Sequence, residues 1–180
     1  MIQLIVLVVI TFMLLYLQSY FRTMKTTQII QTSLINFHPN ILLEKEPIYI
    51  EDNIYNPADI ISSVFKYQYI YKVLSLSNKL YWKKNLSSFV IIYNDQDYDV
   101  NINIINPNYC KDTEYFKGLF VNKFYKVSKT TLIHKQVVQV ILKPYNMLVL
   151  PLNWIYNTDV DNVLEIHLFD CISRIYSFIA

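Results

Sequence analysis

Glycine is the scarcest residue of the sequence and occurs once, as Gly118, among 180 residues. Alanine is almost as rare and occurs as Ala58 and Ala180. Phosphate-binding loops and dinucleotide-binding fingerprints need several glycines at set spacings, because their backbones must turn sharply and approach the phosphates closely. The sequence therefore excludes these classes of nucleotide-binding protein.

Charge and cysteine are also scarce. Charged residues make up 17% of the chain, below the roughly 25% of a typical soluble domain. Sixteen basic residues against 14 acidic ones leave a net charge of +2, which argues against a nucleic-acid partner. The two cysteines, Cys110 and Cys171, are too few for a disulfide framework.

Apolar residues are abundant, at 53% of the chain, and exclude a disordered protein. The longest apolar run covers residues 1–21 and contains no charged residue. As a helix it would span roughly 30 Å, the thickness of a bilayer core. Tyr16, Tyr20 and Phe21 stand at its end like an interfacial aromatic belt. The run predicts a transmembrane anchor, with a cleaved signal peptide or a buried helix as alternatives.

The charges beside this run predict its orientation. Arg22 and Lys25 follow the run and no basic residue precedes it, so the positive-inside rule favours a cytosolic C-terminal domain. The glycosylation sequon Asn85-Leu86-Ser87 favours the opposite side. We predict a single-pass membrane protein with a stalk or linker at 22–36 and a folded domain at 37–180.

The folded domain has the pattern of a mainly β protein. Residues 100–104 alternate apolar and polar side chains, as a half-buried antiparallel strand does. One helix is predicted over 56–71, because Asn56 suits an N-cap and Pro57 suits the first helical position. Short strands at regular intervals favour a β-sandwich or barrel on which this helix packs. The predicted strands are 47–51, 89–93, 98–104, 119–127, 136–142, 147–150, 163–169 and 172–178.

The histidines show no metal-site spacing. They are His38, His134 and His167, and His167 alternates with apolar neighbours. This alternation predicts that His167 either faces solvent or is hydrogen-bonded in the core. From these residues we predict no catalytic residue, no bound metal and no cofactor.

Two polar clusters also favour structural roles. Asp95, Asp97 and Asp99 lie near a predicted hairpin tip without the glycine and distal glutamate of an EF-hand loop, so a solvated turn is predicted. Tyrosines and lysines alternate between residues 66 and 84. Since arginine is nearly absent, this stretch predicts an aromatic core with a lysine rim rather than a surface that stacks on nucleobases.

One segment carries a family resemblance. Residues Val140–Tyr156 contain an apolar strand, a Lys-Pro-Tyr-Asn turn, a second apolar strand and the motif Pro151-x-x-Trp154. This order resembles a segment of the cupin-like, JmjC-related double-stranded β-helix oxygenases, where a metal-binding histidine follows the Pro-x-x-Trp motif. Tyr156 stands at the place of that histidine. Upstream, residues 47–52 and 56–60 resemble the lead-in strand and helix of the same family. The resemblance implies a cupin-like or jelly-roll domain without an intact metal site, with Pro151, Trp154 and Tyr156 as structural anchors.

The composition, with 25 Ile, 16 Asn and 14 Lys against 2 Arg, resembles that of proteins from AT-rich genomes, which large DNA viruses of protists and protist parasites share. We predict a membrane-anchored, non-catalytic structural or adaptor protein whose partners are a membrane and other proteins, such as capsid or virion proteins. Two alternatives stay open. One is a barrel that binds a lipid or sugar. The other is a metal-dependent cupin-type oxygenase with ligands drawn from His38, His134, His167, Asp99 and Tyr156.

Overall fold

A computed structural model describes residues 2–22, 26–66, 68–110, 124–125 and 137–179. These residues form a mainly β structure with two sheets and a few helices. The helices are α1 (Ile2–Phe21), α2 (Pro57–Val64) and α3 (Cys171–Ile179), with 3₁₀ turns at Pro39–Glu44 and Pro107–Cys110. The strands are β1 (Ile30–Thr32), β2 (Ile48–Ile50), β3 (Tyr71–Leu76), β4 (Trp82–Lys84), β5 (Phe89–Tyr93), β6 (Val100–Ile105), β7 (Phe124–Tyr125), β8 (Val137–Leu142), β9 (Met147–Pro151), β10 (Ile155–Thr158) and β11 (Leu164–Phe169).

The strands form a sandwich of two sheets. The six-stranded sheet has the order β1-β2-β9-β5-β11-β3, and the five-stranded sheet has the order β7-β4-β10-β6-β8. Neighbouring strands are antiparallel except β1 and β2. From β3 to β6, and again from β8 to β11, each strand lies in the other sheet from the strand before it. The chain thus winds around the space between the two sheets.

The central strands β2, β9 and β5 of the six-stranded sheet are buried on both faces, as the unbroken apolar run of β5 predicts. Val90 and Ile92 of β5 belong to the core between the sheets. Ile91 belongs to a second core on the opposite face, where Ile61 and Phe65 at the end of α2 cover it. The period-2 geometry of a strand sends successive side chains of β5 to opposite cores.

Helix α2 begins as predicted and ends sooner. The side chain of Asn56 accepts a hydrogen bond of 3.1 Å from the backbone N–H of Ala58, and Pro57 opens the helix. The helix ends at Val64, and Tyr71, which was predicted to continue it, begins β3. Pairing of β3 with β11 outweighs the local helical spacing.

The predicted strand 172–178 is wrong, because these residues form α3. The backbone N–H of Ser173 donates to Asp170 Oδ1 at 2.7 Å, and the backbone N–H of Asp170 donates to Ser173 Oγ at 3.0 Å. This reciprocal pair starts a helix in the manner of a capping box. Ser173 and Ser177 are buried one turn apart, whereas the apolar residues Ile175, Phe178 and Ile179 lie on the more exposed side of the helix.

The turn between β8 and β9 holds a tyrosine in a conformation that glycine usually adopts. Tyr145 has φ of 62°, and a bulky residue there costs on the order of 1 kcal/mol. Its backbone N–H donates to Asn94 O at 2.8 Å, its hydroxyl donates to Asp97 at 3.0 Å, and its ring packs on Tyr55. These contacts offset the backbone cost in a region that lacks glycine.

The predicted single-pass anchor over residues 1–21, and the membrane localisation that depended on it, are wrong. In the part of the chain that the structure describes, no helix combines the length and the apolarity needed to cross a bilayer. Helix α1 carries two apolar stretches, Leu4–Ile10 and Phe12–Leu17, which Thr11 separates and which Gln18 and Ser19 follow.

The segment assigned to a stalk contributes to the sheet, since residues 30–32 form β1 beside β2. Of the predicted strand 119–127, only β7 at 124–125 falls within the described residues. His134 and Lys25 also lie outside the described residues. The predicted strands at 47–51, 89–93, 98–104, 136–142, 147–150 and 163–169 correspond to β2, β5, β6, β8, β9 and β11.

Candidate functional site

A polar cluster lies between the two sheets next to an otherwise apolar core. Lys83 on β4 and Tyr156 on β10 are cross-strand partners in the five-stranded sheet. Ser75 on β3 and Glu165 on β11 are cross-strand partners in the six-stranded sheet. Because the inner faces of the two sheets oppose each other, these four side chains meet, although they come from four strands.

Glu165 is the centre of this cluster and is 1% exposed. Lys83 Nζ donates to Glu165 Oε1 at 2.7 Å and to Oε2 at 2.8 Å. The hydroxyls of Ser75 and Tyr156 donate to Oε2, each at 3.1 Å. Lys83 Nζ also donates to Leu76 O at 3.3 Å. A buried ion pair is tolerated only with such additional hydrogen bonds.

The contacts of Glu165 decide its charge. Burial alone would raise the pKa of the Glu165 carboxyl, but the hydrogen bond from His167 and the charge and hydrogen bond of Lys83 outweigh burial and lower that pKa. Burial and the neighbouring Glu165 charge raise the pKa of the Tyr156 hydroxyl well above its ordinary value. The Glu165 carboxyl is therefore an anion and the Tyr156 hydroxyl is neutral at physiological pH.

His167 joins the cluster without forming a nucleophilic triad. Its Nε2 lies 3.0 Å from Ser75 Oγ and 3.5 Å from Glu165 Oε2. In a triad the acid binds one imidazole nitrogen and the nucleophile the other. Here the serine and the glutamate approach the same nitrogen, so the imidazole cannot relay a proton between them.

The cluster is also a poor metal site. Within the described residues, no group of three or more His, Cys, Asp or Glu side chains converges as metal ligands would. Glu165 and His167 are neighbours, but the ammonium of Lys83 already occupies the position beside the carboxylate. A divalent cation there would have to displace a charge that is itself buried.

The structure separates most ligands considered for an oxygenase. His38 is exposed before a 3₁₀ turn, and Asp99 is exposed before β6. His167 and Tyr156 both contact Glu165, so these two candidates alone are brought together among the described ones.

Pro151 and Trp154 lie at the junction of β9 and β10. Pro151 is the last residue of β9 and faces Phe89 across the sheet. Trp154 is 2% exposed, belongs to the core between the sheets, and donates from Nε1 to Lys45 O at 3.3 Å. Together with Tyr156, these residues occupy buried positions in the core, where a side chain contributes to packing.

The sequon asparagine is buried at this junction. Asn85 Nδ2 donates to Leu150 O at 3.0 Å and to Pro151 O at 2.9 Å, and its Oδ1 accepts from the backbone N–H of Ser87 at 3.0 Å. Asn85 is fully buried, so the folded domain has no room for a glycan on it.

Helix α1 is joined to the sandwich at its C-terminal end. The Tyr20 hydroxyl donates to both carboxylate oxygens of Asp170 at 2.8 Å. Lys45 donates from Nζ to the carbonyls of Ser19 and Tyr20, and so caps the negative end of the helix dipole. The ring of Phe21 packs on Tyr176 of α3. These contacts fix the end of α1 on the β domain.

Sequence reasoning missed the polar cluster, although one signal was present. Glu165 and His167 are two residues apart in a predicted strand, and that spacing places both side chains on one face. Lys83 gave no such signal, because its partner Glu165 is 82 residues away.

Comparison with known proteins adds no relative to this picture. The chain matches no family model and no curated protein. The resemblance to cupin-like oxygenases therefore rests on the sequence alone, at 140–156 and at the upstream residues 47–52 and 56–60.

Proposed function

We propose that the chain is a non-catalytic structural or adaptor protein that assembles with a second copy of itself through α1. The apolar surface of α1 carries this proposal. Eleven large apolar side chains between Leu4 and Tyr16 are each at least 46% exposed. Monomeric proteins rarely leave a contiguous apolar patch of more than a few hundred Å² uncovered, so this surface fits a protein partner.

A second copy fits α1 better than a groove on an unrelated protein. The exposed apolar residues are nearly consecutive and therefore lie on all sides of the helix. A groove covers one side of a helix, whereas a bundle of like helices covers several sides of each. Residues 2–21 carry no charge, so copies of α1 do not repel each other. The contacts at Tyr20 and Lys45 would then hold the β domain of each copy next to the assembled helices.

We propose further that the sandwich is a cupin-like, non-catalytic domain, and the geometry of the sandwich supports this. Strands β3–β6 and β8–β11 contribute four strands to each sheet and alternate between them, as in a double-sheet jelly roll. Lys83 neutralises the buried carboxylate of Glu165, which leaves that group without a catalytic task.

We propose a place in the particle of a large DNA virus, because the composition resembles that of proteins from such viruses and a particle is built from self-assembling structural proteins. Mass spectrometry of purified particles tests this placement. Abundant peptides of the chain are expected, and their absence from intact particles of a virus that encodes it would contradict the placement.

Sedimentation or light scattering of the full chain tests the assembly. The wild type is expected to be oligomeric at about 10 µM, and Leu7→Glu with Leu14→Glu, two turns apart on α1, is expected to be monomeric. The matched control, Ile35→Glu with Leu80→Glu, places two charges at exposed apolar positions outside α1 and should keep the wild-type mass. A monomeric wild type, or an α1 variant of unchanged mass, would overturn the proposal.

A further inference from the structure

A cavity of about 230 Å³ opens beside the polar cluster, where the edges of the two sheets meet α3. Its apolar wall includes Val73, Leu86 and Phe169. Its polar wall includes His167 and the buried Lys83–Glu165 pair. Pockets for drug-sized ligands measure about 300–1,000 Å³, so this one suits a smaller molecule.

The cavity carries an excess of positive charge. Lys83, Lys84 and Arg174 line it together with a single carboxylate, Glu165. Glu165 is committed to Lys83 at 2.7 Å. Among the described residues, no carboxylate lies within ion-pair distance of Lys84 or Arg174. The cavity thus has a formal net charge of +2 when His167 is neutral.

The two uncompensated cations are held by aromatic rings. The guanidinium of Arg174 lies 4.4 Å from the ring centroid of Tyr71 and 4.8 Å from that of Phe178. Lys84 Nζ lies 3.3 Å from the hydroxyl of Tyr176. Stacking leaves the edge of a guanidinium free to donate two parallel hydrogen bonds. The side chain of Arg174 is therefore positioned before any anion arrives.

We propose that this cavity binds a small amphipathic organic anion, with its carboxylate held by Arg174 and Lys84 and its apolar body against Val73 and Phe169. This inference is independent of assembly through α1. A fully hydrated ion would make no use of the apolar wall, and a neutral ligand would leave the positive charge of the cavity unpaired. Ser75 and His167 add hydrogen-bonding groups on the inner side of the cavity.

Titration calorimetry of the full chain with benzoate and with benzamide tests the proposal. The two probes have nearly the same shape and differ in charge. Benzoate is expected to bind at one site per chain, with benzamide and inorganic phosphate each at least tenfold weaker. Equal affinity for benzamide, affinity for phosphate equal to that for benzoate, or no saturable binding of benzoate would overturn the proposal.

Two variants in the cavity and one control outside it test whether benzoate binds in this cavity. Arg174→Gln should weaken benzoate binding at least tenfold. Lys79→Gln removes an exposed lysine outside the cavity and should leave binding unchanged. Val73→Phe keeps every charge but fills the cavity, so it should also abolish binding, and it covers the case in which Arg174→Gln fails to fold. Wild-type affinity in a folded Arg174→Gln or Val73→Phe protein would contradict the assignment.

Discussion

The ammonium of Lys83 lies 2.7 and 2.8 Å from the two carboxylate oxygens of Glu165, although the two residues are 82 positions apart and belong to opposite sheets. The pair closes one side of the sandwich with an ion pair instead of apolar packing. Both side chains are buried, so each charge depends on the other. This dependence leads to the first two predictions.

Lys83→Met should lower the free energy of unfolding by about 3–5 kcal/mol, because it leaves the carboxylate of Glu165 buried without its counter-ion. Adding Glu165→Leu to this variant should restore most of the loss, since an apolar pair of similar volume is tolerated at such sites. Urea unfolding measures both. Lys79→Met is the control, because its ion pair with Asp161 is exposed and is worth about 0–1 kcal/mol. Equal losses for the Lys83 and Lys79 variants would contradict the prediction.

Glu165 should also make the free energy of unfolding decrease at acidic pH. Its pKa is lowered in the folded chain, so the unfolded chain binds the proton more readily. The stabilisation is therefore complete above the unfolded pKa of about 4.3 and is lost as the pH falls through the folded pKa.

Unfolding free energies measured between about pH 2 and pH 6 test this dependence. Glu165→Gln should flatten the acid limb of the profile, whereas Glu44→Gln, at an exposed position, should leave it almost unchanged. An acid limb of wild-type slope in the Glu165→Gln protein would refute the assignment.

Trp154→Ala should cost about 3–5 kcal/mol, because it empties a buried position in the core between the sheets. The melting temperature should then fall by on the order of 10 °C for a chain of this size. Trp154→Phe keeps most of the ring and loses the hydrogen bond to Lys45 O, so about 1–2 kcal/mol is expected. A decrease below about 2 °C for Trp154→Ala would show that the indole does not support the core.

Tyr20→Phe should loosen the junction between α1 and the sandwich. It removes the hydroxyl that donates to Asp170, and a hydrogen bond to a charged group is worth about 1.5–3 kcal/mol. Hydrogen exchange in the last turn of α1 should become at least tenfold faster. Tyr16→Phe, at an exposed position of the same helix, is the control and should exchange like the wild type. Equal hydrogen-exchange rates in the two variants would show that the Tyr20 hydroxyl does not hold α1 on the sandwich.

Local patterns determined several elements of this fold. The unbroken apolar run of β5 and the alternation of β6 both predict strands. Successive side chains of a strand point to opposite faces, so alternation marks a strand with one buried face and an unbroken apolar run marks one with two. Asn56 and Pro57 predict the start of α2, because a cap acts on the nearest backbone N–H groups. These signals need no knowledge of distant residues. The candidate anchors Pro151, Trp154 and Tyr156 also come from one short segment.

Only the tertiary structure decided the rest. Residues 71–76 became a strand because β11 pairs with them. The helix at 172–178 is different, because its cap joins Asp170 to Ser173 three residues away and is therefore a local signal. The apolar residues of α1 suggested a membrane span, yet its last turn is fixed to the sandwich through Tyr20. Lys83, Tyr156 and Glu165 meet because two sheets face each other. These contacts depend on the pairing of strands that are distant in the sequence. The residues next to each of these side chains therefore do not predict its partner.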